Sequence, residues 1–390
     1  MSEQMNVPKL RFGEFYAPWQ LEPLSSYLME HKEKTSAKTE MPVYTSSRTG
    51  LYPQSSYFDN RELQNDGEYG VVPVGFFVYR HMSDDSTFKF NINKVGNKIA
   101  VSKEYPVFTT NKMDSGFLLD YLNNGKQFKA FAVMQKQGGT RTRLYFKKLI
   151  TLKLPTPSLK EQQKIASFLS KVDEKIALLT EKKDKLTEYK KGVMQQLFNG
   201  KWEKQGGQLT FIPPTLRFKA DDGSEFPDWE EKKLGDVLTI GNGRDYKHLS
   251  DGDIPVFGTG GYMTSVDGYL YDGETVFIGR KGTINKPYMF NGKFWTVDTL
   301  FYTKDFKDIL PKFVYAIFQK VNWSLYNEAT GVPSLSKSTI NKIRLNVPSL
   351  SEQEKITEFI SSLDQKIDLV NEELEKANEW KKGLLQQMFV

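Results

Sequence analysis

The side chains in this sequence with chemistry to offer are cations and small polar groups gathered around two glycine-bearing loops. The first reads Gly138-Gly139-Thr140-Arg141-Thr142-Arg143 and the second Thr330-Gly331-Val332-Pro333-Ser334-Leu335-Ser336-Lys337. Glycine lets backbone approach a phosphate closely. Arginine, glutamine, serine and threonine can read base edges, while lysine and backbone amides suit phosphates. On that chemistry the candidate nucleic-acid contacts in the first half are Arg80, His81, Gln137, Arg141 and Arg143. In the second half they are Arg244, Lys247, Thr259, Arg280, Lys281, Ser334, Ser336 and Lys337. A solvated surface role competes with contact at each position taken singly; the clusters 141–143 and 280–281 favour contact.

Other chemistries lack their residues. His31, His81 and His248 are far apart, without metal-ligand spacing. There is no Gly-x-x-x-x-Gly-Lys-Ser/Thr phosphate loop, and Gly258-Thr259-Gly260-Gly261 lacks dinucleotide spacing. The Asn/Asp-Pro-Pro-Tyr/Phe tetrapeptide that grips a flipped adenine is absent. Pro227-Asp228-Trp229-Glu230-Glu231-Lys232 crowds its carboxylates too closely for a nuclease site and reads as a charged turn entering a strand. With no cysteine, disulfides and thiolate metal sites are excluded.

The elements that must position the loops are organised around a helix that occurs twice. Pro157 to Phe198 and Pro348 to Phe389 align without a gap and share about half their residues. In the first copy, Ile165, Leu169, Val172, Ile176, Leu179, Leu186 and Val193 recur at alternating steps of three and four, with Lys183 and Lys190 filling the gaps. In the second, Ile356, Ile360, Leu363, Ile367, Val370, Leu374 and Leu384 keep that register, with Lys381 in one gap. A seam repeating every 3.5 residues wants a partner helix. One copy could equally pack on a globular core; two matched copies favour mutual pairing. Ser158 and Ser349 stand three residues before Glu161 and Glu352, the spacing of a capping box. About 40 helical residues would make a rod of roughly 60 Å. The lysines at 182, 183 and 185 read as a solvated face.

A weaker repeat opens each half. Pro8-Lys9-Leu10-Arg11-Phe12 precedes Trp19, as Pro214-Thr215-Leu216-Arg217-Phe218 precedes Trp229. Residues 199–214, rich in Gly, Gln and Pro, read as the linker between halves. In the second globular segment, Asn242-Gly243, Asp251-Gly252, Asp267-Gly268, Asp272-Gly273 and Asn291-Gly292 have hairpin-turn chemistry. Short strands are expected between them, at 275–278, 287–290, 294–297 and 300–303. A helix follows through Phe313, Val314, Ile317, Phe318 and Val321. The first segment repeats that grammar, with a helix through Phe117, Leu118, Tyr121 and Leu122.

Each long helix opens in Pro-Ser-Leu-x-Glu-Gln-x-Lys-Ile and closes in Lys-Lys-Gly-x-x-Gln-Gln-x-Phe. This doubled phrase, placed after two unlike globular segments, resembles the specificity (S) subunit of type I restriction–modification enzymes over nearly the whole chain. The resemblance implies an α+β chain with target recognition domains at 1–156 and 205–347 and conserved helical regions at 157–204 and 348–390. Each domain would be a mixed α/β body, and the two helices would pair as an antiparallel coiled coil with pseudo-two-fold symmetry. It further implies a non-catalytic protein that reads a bipartite, asymmetric site in double-stranded DNA. The helices would set the spacer and dock two methyltransferase (M) subunits, through which restriction (R) subunits attach. No cofactor is expected in this chain; S-adenosylmethionine, ATP and Mg would sit on the partners.

The 390 residues are enough for two or three domains, and a net charge of +6 permits nucleic acid without requiring it. No apolar run approaches the ~18 residues of a membrane span, and the first ten residues lack a signal-peptide core, so the expected location is cytoplasmic. The competing reading is a coiled-coil interaction scaffold that does not touch DNA, against which the arginine loops argue.

Overall fold

The computed structural model describes residues 7–58, 67–136, 140–205 and 208–389. It contains two compact units, Met1–Glu181 with Asn371–Val390, and Lys182–Val370.

In the first unit, a four-stranded antiparallel sheet runs in the order Leu28–His31, Val107–Thr110, Phe77–Tyr79, Phe90–Ile92. A three-stranded sheet, Ile99–Ser102, Glu68–Val72 and Lys34–Ser36, accompanies it. The helix Ser115–Asn124 begins where the Asp114 carboxylate accepts the Phe117 amide, one of the donors a helix start leaves unpaired. Its buried residues Phe117, Leu118, Tyr121 and Leu122 lie on one face. They join Phe77, Phe90 and Phe108 in a core that also contains Ile165, Leu169 and Val172 from the first long helix and Leu384 and Met388 from the last.

The second unit carries a six-stranded sheet: Thr239–Asn242, Leu300–Lys304, Tyr271–Gly279, Tyr288–Thr296, Asp251–Gly258, Gly261–Val266. All its pairings are antiparallel except that of Asp251–Gly258 with Tyr288–Thr296. The expected helix forms at Pro311–Lys320, proline in its first turn. Three turn expectations fail. Asp251-Gly252 opens the strand Asp251–Gly258, at a bulge in its pairing. Asp272-Gly273 and Asn291-Gly292 lie inside long strands, where Gly273 faces Gly292 and Glu274 faces Asn291. Positive φ at both glycines (141° and 122°) is absorbed within the ladder, so the expected runs 287–290 and 294–297 are one strand. The expected linker is likewise ordered: Lys201–Gln205 pairs with Gln208–Ile212, and Phe211 lies against Trp229.

The long helices span Leu159–Leu197 and Leu350–Met388. In the first unit the start of one packs with the end of the other. There Phe168 meets Trp380 edge-on, and Lys381 reaches Asp173. In the second unit Val193 and Leu197 share a core with Ile356 and Ile360, and Lys190 reaches Asp364 at 2.5 Å. Early residues thus meet late residues in both places, so the helices are antiparallel. Both readings of the seam hold: it pairs the helices and its first turns serve as domain core. The lysines at heptad gaps 190 and 381 are filled by an aspartate from the other helix, which supplies the charge their part-buried ammonium groups need.

The capping box does not form as spaced. Ser158 Oγ accepts the Glu161 amide at a long 3.4 Å, but Ser349 Oγ is buried without a partner. The two glutamates are buried for another purpose. Glu161 takes a bidentate pair from Arg11 (2.7 and 2.8 Å) and the Trp19 indole N–H (3.1 Å). Glu352 takes Arg217 (2.9 and 2.7 Å) and Trp229 (3.2 Å) in the same way. The neighbouring glutamines complete the anchor: Gln162 Oε1 accepts the Asp114 amide and Gln353 Oε1 the Leu310 amide. Each domain is therefore tied to its long helix by the Glu-Gln pair.

Near the first-unit helix contact, Asp120 is half-buried, and its loss of solvent raises its carboxyl to about 6 against the pull of Lys381. The folded state then binds a proton more tightly than the unfolded chain. The neutral form favours folding at low pH, and that contribution is lost as pH rises from about 4 through 6. Asp120→Asn should therefore be more stable than wild type at about pH 7.5, by roughly 2 kcal/mol, with the gap closing at about pH 4. Urea unfolding at both pH values checks this; a gap independent of pH would refute it.

Candidate nucleic-acid interface

In the first unit the strand Phe77–Tyr79 runs into Arg80, and the next residues, Met82–Ser83, pair antiparallel with Thr142–Arg143. That pairing sets Arg143 opposite Met82 and brings Arg141 to Asp84, so residues 141–144 run alongside 80–84 although they lie some sixty residues later in sequence. Leu144 donates its amide to the His81 carbonyl at 2.8 Å, closing the join. A cleft of about 630 Å³ opens beside it, lined by Arg48, Arg80, Asp84, Lys89 and Glu104 among others.

The electrostatics of this rim are mixed. Arg141 Nε donates to Asp84 Oδ1 at 2.9 Å and Arg48 to Asp85 Oδ1 at 2.6 Å. Asp85 also accepts from Ser83 Oγ and the Thr87 amide, and these hydrogen bonds, with Arg48, hold its carboxyl well below the usual range. Both ion pairs are solvent-exposed, so little energy holds them and a phosphate can replace the aspartate. His81, expected as a loop contact, is 3% exposed and stacks on Tyr145 at 5.2 Å. Burial, helped by Arg143 and Arg80 and opposed by Glu104, lowers its pKa and favours the neutral ring. It supports Tyr145, which is half-exposed, rather than presenting itself. Gln137, with Gly138 and Gly139, lies outside the described residues.

In the second unit the candidates gather where several strands of the sheet end. Arg280 follows the strand Tyr271–Gly279 and donates its amide to Thr299 O at 2.8 Å. Lys281 forms a bridge with Ser334, and Leu335 donates to Arg280 O. Thr259 sits in the hairpin turn against Gly279, whose missing Cβ would lie 3.2 Å from Thr259 Cγ2. Arg244 hangs from the neighbouring strand through its amide to Thr296 O, and Trp295 Nε1 donates to the Arg244 carbonyl. So Thr259, Arg280, Lys281 and Ser334 are brought together, with Arg244 attached to the same 296–299 segment. Lys247 is exposed on the turn that follows Arg244. Ser336 is committed elsewhere: its oxygen caps the helix Lys337–Asn341 by accepting the Thr339 amide, and its hydroxyl donates to Glu328 at 2.6 Å. Lys337 is exposed in the first turn of that helix.

Three residues escaped sequence reasoning. Arg48 and Lys89 line the first cleft. Tyr262, 64% exposed, follows the Gly258–Gly261 turn beside Thr259. An aromatic directly after a glycine-rich turn was the available signal, because a hairpin tip leaves it without a core to join. Among the described residues no group of three His, Cys, Asp or Glu could hold a metal ion, and no helix is long and apolar enough to cross a membrane.

The family profile described as Type I restriction modification DNA specificity domain matches residues 29–188 and 227–379. A protein of Methanocaldococcus jannaschii carrying the name of the MjaX type I restriction enzyme specificity subunit is 21% identical, over 98% of this chain and 95% of its own length. The MjaVIII specificity subunit of the same organism is 24% identical over 60% of each chain. In fold, the chain resembles the crystal structure of the type I restriction–modification S subunit from M. genitalium, with a TM-score of 0.61 at 16% identity over 98% of this chain and 99% of that one. With two matched segments that together cover most of its length, each holding one cation-bearing loop cluster, the chain belongs to the type I restriction–modification DNA specificity family.

Proposed function

We propose that this chain is the sequence-reading subunit of a type I restriction–modification enzyme, with each unit reading one half of a bipartite DNA site. The observation that carries this is the pair of loop clusters, Arg80/Arg141/Arg143 and Thr259/Arg280/Lys281/Ser334. They stand on two frames anchored by identical Glu-Gln devices but built from different loops. Similar frames with divergent loops suit two readers of different sequences. The chain itself performs no chemistry and binds no cofactor. Methyl transfer with S-adenosylmethionine belongs to two M subunits docked on the helices, which also set the spacer. ATP- and Mg-dependent cleavage belongs to the R subunits. The complex works in the cytoplasm.

The test is exchange. Residues 20–156 are replaced by the equivalent segment of a relative, Arg11 and Glu161 being kept, and the methylated motif of the assembled enzyme is mapped by long-read sequencing. One half-site should change and the other stay. A change in both halves would refute modular reading.

A further inference from the structure

The internal repeat offers its own control, because equivalent positions in the two units can be compared. One place differs in charge. At the end of the last long helix, a pocket of about 310 Å³ is lined by Lys381, Lys382, Lys126, Lys129, Asn124 and Phe389 among others. The equivalent place in the second unit is a cavity of about 260 Å³ walled by Phe198, Trp202, Phe211 and Trp229, and among the described residues the one cation lining it, Lys320, is already engaged by the protein itself. There Lys320, at the helix position matching Asn124, donates to Met194 O at 3.2 Å and lies 5.4 Å over the Phe198 ring. Phe198 matches Phe389, since the two helix copies align without a gap. In the first unit the neutral Asn124 stands where the second unit has that lysine. The extra helix Lys126–Met134, which starts at the pocket without a side-chain cap, brings two more lysines to it.

These charges are not spent internally. Lys381 is engaged by Asp173. Among the described residues Lys126, Lys129 and Lys382 have no carboxylate partner, and all three are exposed. Three uncompensated ammonium groups around one cavity make an anion site. Compact lysine charges suit phosphate as point contacts, not bidentate base reading. Lys89, which lines the cleft described above, has its pKa lowered by burial and then by the charge of Lys381 in this pocket.

We propose that this pocket grips the phosphodiester backbone of the bound duplex, as a sequence-independent clamp that the first unit has and the second lacks. The clamp rests on the DNA-reading function above and adds to it a contact from the C-terminal helix. It contributes affinity without specificity, since phosphate contacts carry no sequence information.

The experiment is a salt titration of duplex binding by the full chain, read by fluorescence anisotropy on two unrelated duplexes. Each phosphate contact contributes a slope of about 0.9 in log K against log salt. Lys126→Gln/Lys382→Gln should lower the slope by about two units on both duplexes alike. The control Lys191→Gln/Lys312→Gln removes the same charge from exposed lysines of the second unit, Lys191 being the match of Lys382, and should leave the slope near wild type. An unchanged slope in the pocket variant, or an equal fall in the control, overturns the clamp. A fall confined to the pocket variant, in a chain showing no sequence preference, would support the clamp while refuting the reading of a specific site. Absence of DNA binding by wild type would overturn both.

Discussion

Glu352→Ala should cost the second unit about 3–5 kcal/mol. The substitution leaves the Arg217 guanidinium, 13% exposed, without the carboxylate that holds it in two hydrogen bonds. It also strands the Trp229 indole N–H, whose acceptor is the same carboxylate. The half-buried guanidinium keeps only the Phe226 and Pro227 carbonyls and Asp228 at 4.0 Å, so stranding its charge is the expensive outcome; the intact pair itself is worth far less. In the wild type Glu352 raises the Arg217 pKa, chiefly through their hydrogen bond; the variant loses that support, but a guanidinium keeps its proton without it, so the arginine will not escape the cost by deprotonating. The double variant Arg217→Met/Glu352→Leu removes both charges and should recover much of the loss. Urea unfolding of both variants is the measurement. A midpoint for Glu352→Ala close to wild type would show that the pair is ornamental, and a double variant no better than the single would place the cost in the lost packing.

The second large effect is expected at Gly279. A Cβ there would lie 2.1 Å from Thr283 O and 2.9 Å from Thr283 C, both backbone atoms that cannot rotate away. Gly279→Ala must therefore displace residues 280–283, taking Arg280 and Lys281 out of register with Thr259 and Ser334. Overpacking of this kind costs about 1–3 kcal/mol of stability. Losing the contacts of Arg280 and its neighbours should lower DNA affinity by roughly 10- to 100-fold, at about 1–3 kcal/mol for a base-reading arginine. Gly260→Ala is the matched control, because a Cβ at Gly260 meets nothing within 4 Å. Stability and DNA binding measured together decide the matter: equal affinity for both variants would remove the 280–283 loop from the interface.

The sequence by itself determined the repeat, the two long helices and their seam, and the helices 115–124 and 311–320. These are local or periodic features. A heptad states which face is apolar, and a second matched copy supplies the surface it needs. The family was legible for the same reason, carried by the doubled Glu-Gln and Gln-Gln phrases. Tertiary structure decided what those residues are for. Glu161 and Glu352 looked like capping residues because their spacing from serine is right. Instead they reach arginines 150 and 135 positions away, and only the fold brings those partners within 3 Å. Asp272-Gly273 and Asn291-Gly292 carry turn chemistry, yet facing one another across a ladder they become strand, because neighbouring hydrogen bonds outweigh local preference. The candidate cations split likewise. Residue type could nominate Arg80, Arg141, Arg280 and Lys281, but only strand pairing ran the segment 80–84 alongside 141–144 and placed 281 beside 334. The same folding withdrew His81 into the interior and gave the Ser336 hydroxyl to a helix cap. Burial and partner choice depend on distant chain, which no window of sequence contains.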